Sequence, residues 1–313
     1  MTSLLYTKSV EIVEVSPRDG LQNEKARIST ADKIALIERA IDAGVPRIEV
    51  TSFVNPRAVP QMADADEVCA ALPEREDVTY IGLVMNQRGA DRALETGRID
   101  QLGAVCVATD QFAMANQGQT SDGSVNAAKA IIASAKEAGK TAQATIAASF
   151  GCPFEGEVQE ERVIAMARAL AEASPIEIAL ADTIGVGNPA HVARLVKGVK
   201  QAIGDIPVRL HFHNTRGTGL ANVWAGIEAG ASTIDASIGG LGGCPFVPGA
   251  AGNVATEDVI YMLERAGIAT GLDLNSLVET NHWLTGIMGK TLPAMVAKSG
   301  GFPAPKTKEK EPA

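Results

Sequence analysis

The pair Arg18-Asp19 and the alternation His211-Phe212-His213 are the places in this chain where residue type and spacing together can do chemistry. Residues two apart on a strand point to the same face, so His211 and His213 share one side of any strand that carries them. Two imidazoles beside a carboxylate make a site for a divalent ion, with Asp19 contributing charge and hard oxygen. Asn253 can add a neutral oxygen. A guanidinium fixed next to such a site, that of Arg18, can hold an oxyanion as it develops. Cys244 follows Gly239-Gly240-Leu241-Gly242-Gly243, a loop composition that lets a thiol approach a ligand closely. Each reading has a plainer counterpart. Alternating histidines can simply pack, Arg18 can close an ion pair with Glu49 or Asp182, and a cysteine is often a small buried hydrophobe. Cys152 and the helix-borne His191 and His282 keep that plainer reading.

Only a fold can bring positions so far apart in the chain together. Short runs rich in Val and Ile alternate with longer Ala-rich stretches of helical period, the pattern of βα units and a parallel sheet. The predicted strands are Val10–Val15, Arg47–Ser52, Tyr80–Met85, Ala104–Ala108, Ala142–Ala147, Glu177–Ala181, Val208–Phe212 and Thr233–Ser237. Eight units over about 250 residues fit a closed (β/α)8 TIM barrel better than a doubly wound sheet of five or six strands. In such a barrel the active site lies at the C-terminal ends of the strands. Arg18-Asp19, Glu49, Asn86, Asp182-Thr183, His211, His213 and the glycine-rich loop all fall there. Ser29 and Thr256, each followed by first-turn acids, are predicted helix caps. Residues 1–298 are expected to form a single catalytic domain, with a barrel over about 9–270 and extra C-terminal helices over about 272–298. The Lys/Glu/Pro-rich tail, 299–313, is expected to be disordered.

Composition narrows the function. Of 313 residues 46% are hydrophobic, enough for one large core, and only 4% are aromatic, in keeping with small side chains packing helices onto parallel strands. A net charge of −9 without a basic cluster argues against a nucleic-acid surface. No apolar run approaches the roughly 20 residues that span a bilayer, so no membrane partner is expected. Met1–Glu11 lacks the apolar core of a secretory signal, and a cytoplasmic location is expected. Four scattered cysteines do not form a disulfide framework.

The ordered motifs resemble those of the 3-hydroxy-3-methylglutaryl-CoA lyases. The resemblance rests on Ser16-Pro17-Arg18-Asp19-Gly20-Leu21-Gln22-Asn23-Glu24-Lys25, Thr51-Ser52-Phe53-Val54-Asn55-Pro56, Gly151-Cys152-Pro153-Phe154-Glu155-Gly156 and Asp182-Thr183-Ile184-Gly185-Val186-Gly187. It continues through Gly242-Gly243-Cys244-Pro245 and Gly252-Asn253 to Thr256-Glu257-Asp258, and so covers about 9–298. The resemblance implies a carbon–carbon lyase acting on an acyl-CoA thioester, CoA being part of the substrate. It implies Mg2+ or Mn2+ held by Asp19, His211, His213 and Asn253. Arg18 would steady the thioester enolate, Cys244 would transfer a proton, and Glu49 would support the polar network. Asp19 or a histidine would accept the hydroxyl proton. Gln22, Asn86, Thr145, Asp182 and Arg216 join Arg18 as expected substrate contacts, and a homodimer is expected by analogy.

Departures from the family pattern concern the pocket. Where the family shows His-Cys-His-Asp-Thr-Tyr-Gly, this chain has His211-Phe212-His213-Asn214-Thr215-Arg216-Gly217. Where strand five of the family carries Arg and then Tyr, this chain has Gln143 and Thr145. The strand-four end, Thr109-Asp110-Gln111-Phe112 with Asn116, is only partly family-like. Arg216 is the expected substitute for the lost cation. These changes leave three rivals to a 3-hydroxy-3-methylglutaryl substrate: a lyase for another 3-hydroxy acyl-CoA, of citramalyl type or longer chain, a Claisen-type synthase on a 2-oxo acid, and a catalytically silent metal-binding scaffold. A mobile Cys244 lid favours cleavage over synthesis.

Overall fold

β-branched and small residues, which suit strands buried on both faces, build the wall of a barrel. The computed structural model describes residues 7–243 and 252–303. Its strands are β1 (Glu11–Glu14), β2 (Arg47–Ser52), β3 (Thr79–Val84), β4 (Gln101–Val107), β5 (Thr141–Ala147), β6 (Ile178–Asp182), β7 (Val208–Phe212) and β8 (Thr233–Ala236). All neighbours are parallel and the order is sequential, with β8 closing onto β1 through Ile12↔Ile234 and Val13↔Asp235. The predicted (β/α)8 barrel is therefore observed. β2 and β7 coincide with their predicted spans, whereas β4 begins at Gln101, three residues before its prediction. Gln101 was hidden by its polarity. Its side chain is buried and accepts a hydrogen bond from Arg47 at 2.9 Å.

The main apolar core fills the space between strands and helices, where Ile48, Leu102, Ile146, Leu180 and Leu210 meet Leu36, Val68, Ile131, Val163 and Leu195. Each such side chain contributes roughly 1.5–3 kcal/mol by leaving water. The barrel interior is different. Val13, Val15 and Ile81 form a small separate cluster. Much of the remaining space is charged: Arg47 reaches Glu11 and Glu177 at 2.5 Å each, and Arg209 reaches Asp235 at 2.5 Å and Glu177 at 3.2 Å. Buried charges survive only when paired and hydrogen-bonded, and here they are.

Ser29 caps the helix Thr30–Asp42 by accepting from Asp32 N at 3.1 Å. Thr256 does not cap. Ala255 occupies the N-cap of the helix Thr256–Arg265, and Thr256 Oγ1 donates to Glu14 Oε2 at 2.7 Å. This helix start is buried against the rim of the barrel, so its polar side chains serve neighbouring segments. Both Glu257 oxygens accept from Gly239 N at 3.1 Å, and Asp258 accepts from Val296 N at 2.7 Å. The helix Leu274–Met288 and the short helix Val296–Ser299 make up the C-terminal extension. Of the expected tail, residues 304–313 lie outside the described residues. Among the described residues no helix is long and apolar enough to cross a membrane.

Candidate active site

β1 runs into a five-residue π-helical turn, Ser16–Gly20, which lifts Arg18 and Asp19 over the mouth of the barrel. Such turns are rare and recur at functional sites. Asp19 Oδ2 lies 3.9 Å from His211 Nε2 and 3.8 Å from His213 Nε2, and the two ring nitrogens are 3.2 Å apart. The chain returns to this point after the glycine-rich loop, where Asn253 bridges to His213. Asn253 Nδ2 donates to Asp19 Oδ2 at 2.6 Å and to Leu241 O at 3.0 Å. Its Oδ1 is buried and has no hydrogen-bond partner. Gly242, at φ +116°, makes this approach possible: a Cβ there would stand 2.5 Å from Asn253 Nδ2.

The donor set fits a divalent cation. Asp19, His211 and His213 each present a ligand atom, all within 4.8 Å of one another, and the orphaned Asn253 oxygen adds a fourth acceptor. Behind the first ligands stands Asp235, whose Oδ2 is 3.0 Å from His211 Nδ1. With the Nδ1 proton held there, the Nε2 lone pair is left facing Asp19 and His213. Asp235 was not singled out from the sequence, although a lone acid inside the apolar strand Thr233–Ala236 is a signal in itself.

Arg18 makes two ion pairs at once, with Glu49 through Nε and, in place of Asp182, with Asp19 through Nη1 at 2.6 Å. Burial pushes the Asp19 carboxyl upward, but the Arg18 guanidinium and the two imidazoles outweigh it and hold the group well below the usual carboxylate range. His211 goes the other way. Burial disfavours its charged form, yet the Asp235 hydrogen bond and the Asp19 charge leave its pKa raised.

These groups floor an open cavity. Of the predicted residues, Arg18, Asp19, Gln22, Glu49, Thr145, His211 and His213 line it, alongside an apolar wall of Leu83, Met85, Val105 and Phe112 that sequence reasoning did not identify. Three predicted substrate contacts are not among its lining. Asn86 caps the helix Gln87–Glu95 by accepting from Gly89 N at 2.9 Å, and lines a neighbouring cavity with Arg57, Arg88 and Arg92. Asp182 spends its carboxylate on Val186 N and Gly187 N, both at 2.9 Å, and the next residue, Thr183, faces the cavity instead. Arg216 donates to Ile184 O at 2.9 Å and Gly185 O at 3.0 Å, and so pins the loop after β6. Cys244 lies outside the described residues. Cys152, His191 and His282 keep structural roles: Cys152 is buried and accepts from Thr109 Oγ1, His191 meets Phe150 edge-on, and His282 bonds Ala297 O.

The chain is similar to known proteins along most of its length. A family model described as HMGL-like matches residues 9–284. The (R)-citramalyl-CoA lyase of Chloroflexus aurantiacus is 42% identical over 94% of this chain and 95% of its own length. A hydroxymethylglutaryl-CoA lyase of Bacillus subtilis is 41% identical over 92% of this chain and 96% of its own. The structure of an HMG-CoA lyase from Acinetobacter baumannii in complex with coenzyme A and 3-methylmalate superposes with a TM-score of 0.90 at 39% identity, covering 100% of both chains. The chain thus belongs to the HMGL-like family, and its curated relatives make it a carbon–carbon lyase.

Proposed function

We propose that this enzyme cleaves a 3-hydroxy-3-methylglutaryl-CoA-type thioester to acetyl-CoA and acetoacetate, or to the corresponding oxo acid. A divalent ion, Mg2+ or Mn2+, is held by Asp19, His211, His213 and Asn253. The observation that carries this reading is the Asp19 carboxylate, with one oxygen 3.8 and 3.9 Å from two imidazole nitrogens and the other on Arg18. When bound, the ion supplies Lewis acidity that lowers the pKa of a substrate hydroxyl.

The rest falls to the chain's own side chains. Asp19, held ionised by its neighbours, suits the role of cation ligand better than that of base. Arg18 lines the cavity and is pinned by Glu49, so it meets the thioester oxygen already oriented as that oxygen takes on enolate charge. Loss of the hydroxyl proton to a histidine neighbour and breaking of the bond between the carbinol carbon and the thioester's α-carbon leave the oxo acid and an acetyl-CoA enolate, whose carbon then needs a proton. Cys244, on its glycine-rich loop, is the proposed donor.

A second reading, a citramalyl-type substrate, has one observation in its favour. Among the described residues lining the cavity, Arg18 is the cation, and strand five offers Gln143 and Thr145, hydrogen-bonded to each other at 3.1 Å. A carboxylate attached directly to the carbinol carbon would lie beside the hydroxyl at the Asp19, His211 and His213 end of the cavity and need no second arginine on strand five. The nucleotide end of CoA is assigned to the neighbouring cavity, lined by Arg57, Arg88 and Arg92. It opens beside the first at the end of β3, where Met85 lines one and Asn86 the other. A cytoplasmic, homodimeric enzyme completes the proposal.

The test is release of acetyl-CoA from 3-hydroxy-3-methylglutaryl-CoA and from both citramalyl-CoA enantiomers, before and after chelation. Turnover of one thioester, lost to the chelator and restored by Mn2+ or Mg2+, is expected. Full turnover in the stripped protein, or no release from any of the three, overturns the reading.

A further inference from the structure

Both halves of the proposed chemistry depend on a carboxylate that has no reason of its own to stay in place. Glu49 orients Arg18 with one oxygen, Oε1. Asp235 orients His211 with one oxygen, Oδ2. The other oxygen of each turns toward the same group. Arg209 Nε meets Asp235 Oδ1 at 2.5 Å, and an Arg209 terminal nitrogen stands 3.9 Å from Glu49 Oε2. A second terminal nitrogen reaches Glu177 Oε1 at 3.2 Å, and Glu177 is held in turn by Arg47 at 2.5 Å. Arg209 is 1% exposed, so this guanidinium works wholly inside the barrel.

We propose that Arg209 is a positioning residue that sets the oxyanion arm and the cation arm of the site together, through Glu49 to Arg18 and through Asp235 to His211. The planar fork is what the geometry requires. It presents N–H groups in three directions in one plane, toward Asp235, Glu49 and Glu177, whereas an ammonium on a flexible stem cannot hold the same three carboxylates in one fixed arrangement. Glu49 sits on β2 and Asp235 on β8, the strands that flank β1 and its Arg18-Asp19 turn. A cation projecting from β7, hydrogen-bonded to Asp235 and within 3.9 Å of Glu49, ties the catalytic turn to the histidine strand. Among the described residues, Arg209 is the side chain paired with both carboxylates.

The reading of kcat rests on the lyase proposal; the reading of cation affinity does not. The experiment compares wild type, R209K and E177Q for Mn2+ affinity by electron paramagnetic resonance, for kcat and KM on the best thioester, and for Tm. R209K keeps the buried charge and removes the fork. It is expected to raise the Mn2+ Kd about tenfold or more, the usual effect of losing an outer partner of a metal ligand, and to lower kcat more than it changes KM. E177Q removes the third partner of Arg209 and touches neither arm directly, and is expected to lower Tm and to raise the Mn2+ Kd less than R209K does. Should R209K not fold, the paired change R209M/E177L, which removes both buried charges, takes its place and is expected to show the same rise in Kd. Wild-type Mn2+ affinity and kcat in a folded Arg209 variant overturn the proposal, as does an E177Q that weakens Mn2+ as much as R209K. A protein that binds Mn2+ normally but turns over no thioester overturns the lyase reading and leaves Arg209 to be judged on affinity alone.

Discussion

Asp235→Asn is the most informative single change, because the amide can accept a hydrogen bond from only one of the two neighbours that the carboxylate serves. Asp235 Oδ1 accepts from Arg209 Nε at 2.5 Å and Oδ2 faces His211 Nδ1 at 3.0 Å. A guanidinium can only donate, so the asparagine oxygen must turn to Arg209 and its NH2 to His211. His211 Nδ1 must then accept. The ring proton moves to Nε2, the nitrogen that faces Asp19 and His213, and His211 is lost as a ligand in its resting tautomer. Restoring the ligating tautomer means giving up a hydrogen bond to a charged partner, about 1.5–3 kcal/mol, or about 10- to 150-fold in an equilibrium constant. A Mn2+ Kd raised by about 10- to 100-fold is therefore expected, with kcat reduced even at saturating metal. Electron paramagnetic resonance titration of D235N, with circular dichroism as the check on folding, measures it. A folded D235N that binds Mn2+ within about twofold of wild type, beside an H211A that does not, would refute the tautomer argument.

Glu257 is the place to look for pH-dependent stability. Burial pushes its carboxyl up to about 8, so the folded chain binds a proton that the unfolded chain releases from about pH 4.5. Its contribution to stability is full below about pH 4.5 and is lost as pH climbs through about 8, on the order of 5 kcal/mol in all. Urea unfolding at pH 5 and pH 8.5 should show wild type losing stability across this window and E257Q losing less; parallel losses would dismiss the idea. R88A should raise KM for the CoA thioester by about fivefold, the worth of one exposed ion pair, without changing kcat or the KM of the matching pantetheine thioester. An equal rise for both thioesters would place the nucleotide elsewhere. C244A should lower kcat by about 10²- to 10⁴-fold while Mn2+ affinity is unchanged, and wild-type turnover in that variant would remove the thiol from the chemistry.

Periodicity along the chain settled the architecture, since a strand-and-helix alternation repeated eight times has few ways to close other than a barrel. It also placed His211 and His213 on one side, because a strand's two-residue repeat is local and needs no knowledge of neighbours. The same alternation runs on to the strand ends, where Leu83 and Met85, and Ala181 and Thr183, line the cavity while Asn86 and Asp182 stand next to them and bond loop N–H groups. The place of Arg216 was also beyond local pattern: it donates to loop carbonyls that only the folded chain presents. The pairing of Asp235 with His211, of Arg209 with two carboxylates, and of Asn253 with Asp19 from 234 positions away has no trace in local pattern. Those contacts run between strands and rim loops, and their distances exist only after β8 closes onto β1 in register. Residue chemistry thus marked the atoms able to grip a cation, while barrel closure decided which carboxylates hold them in place.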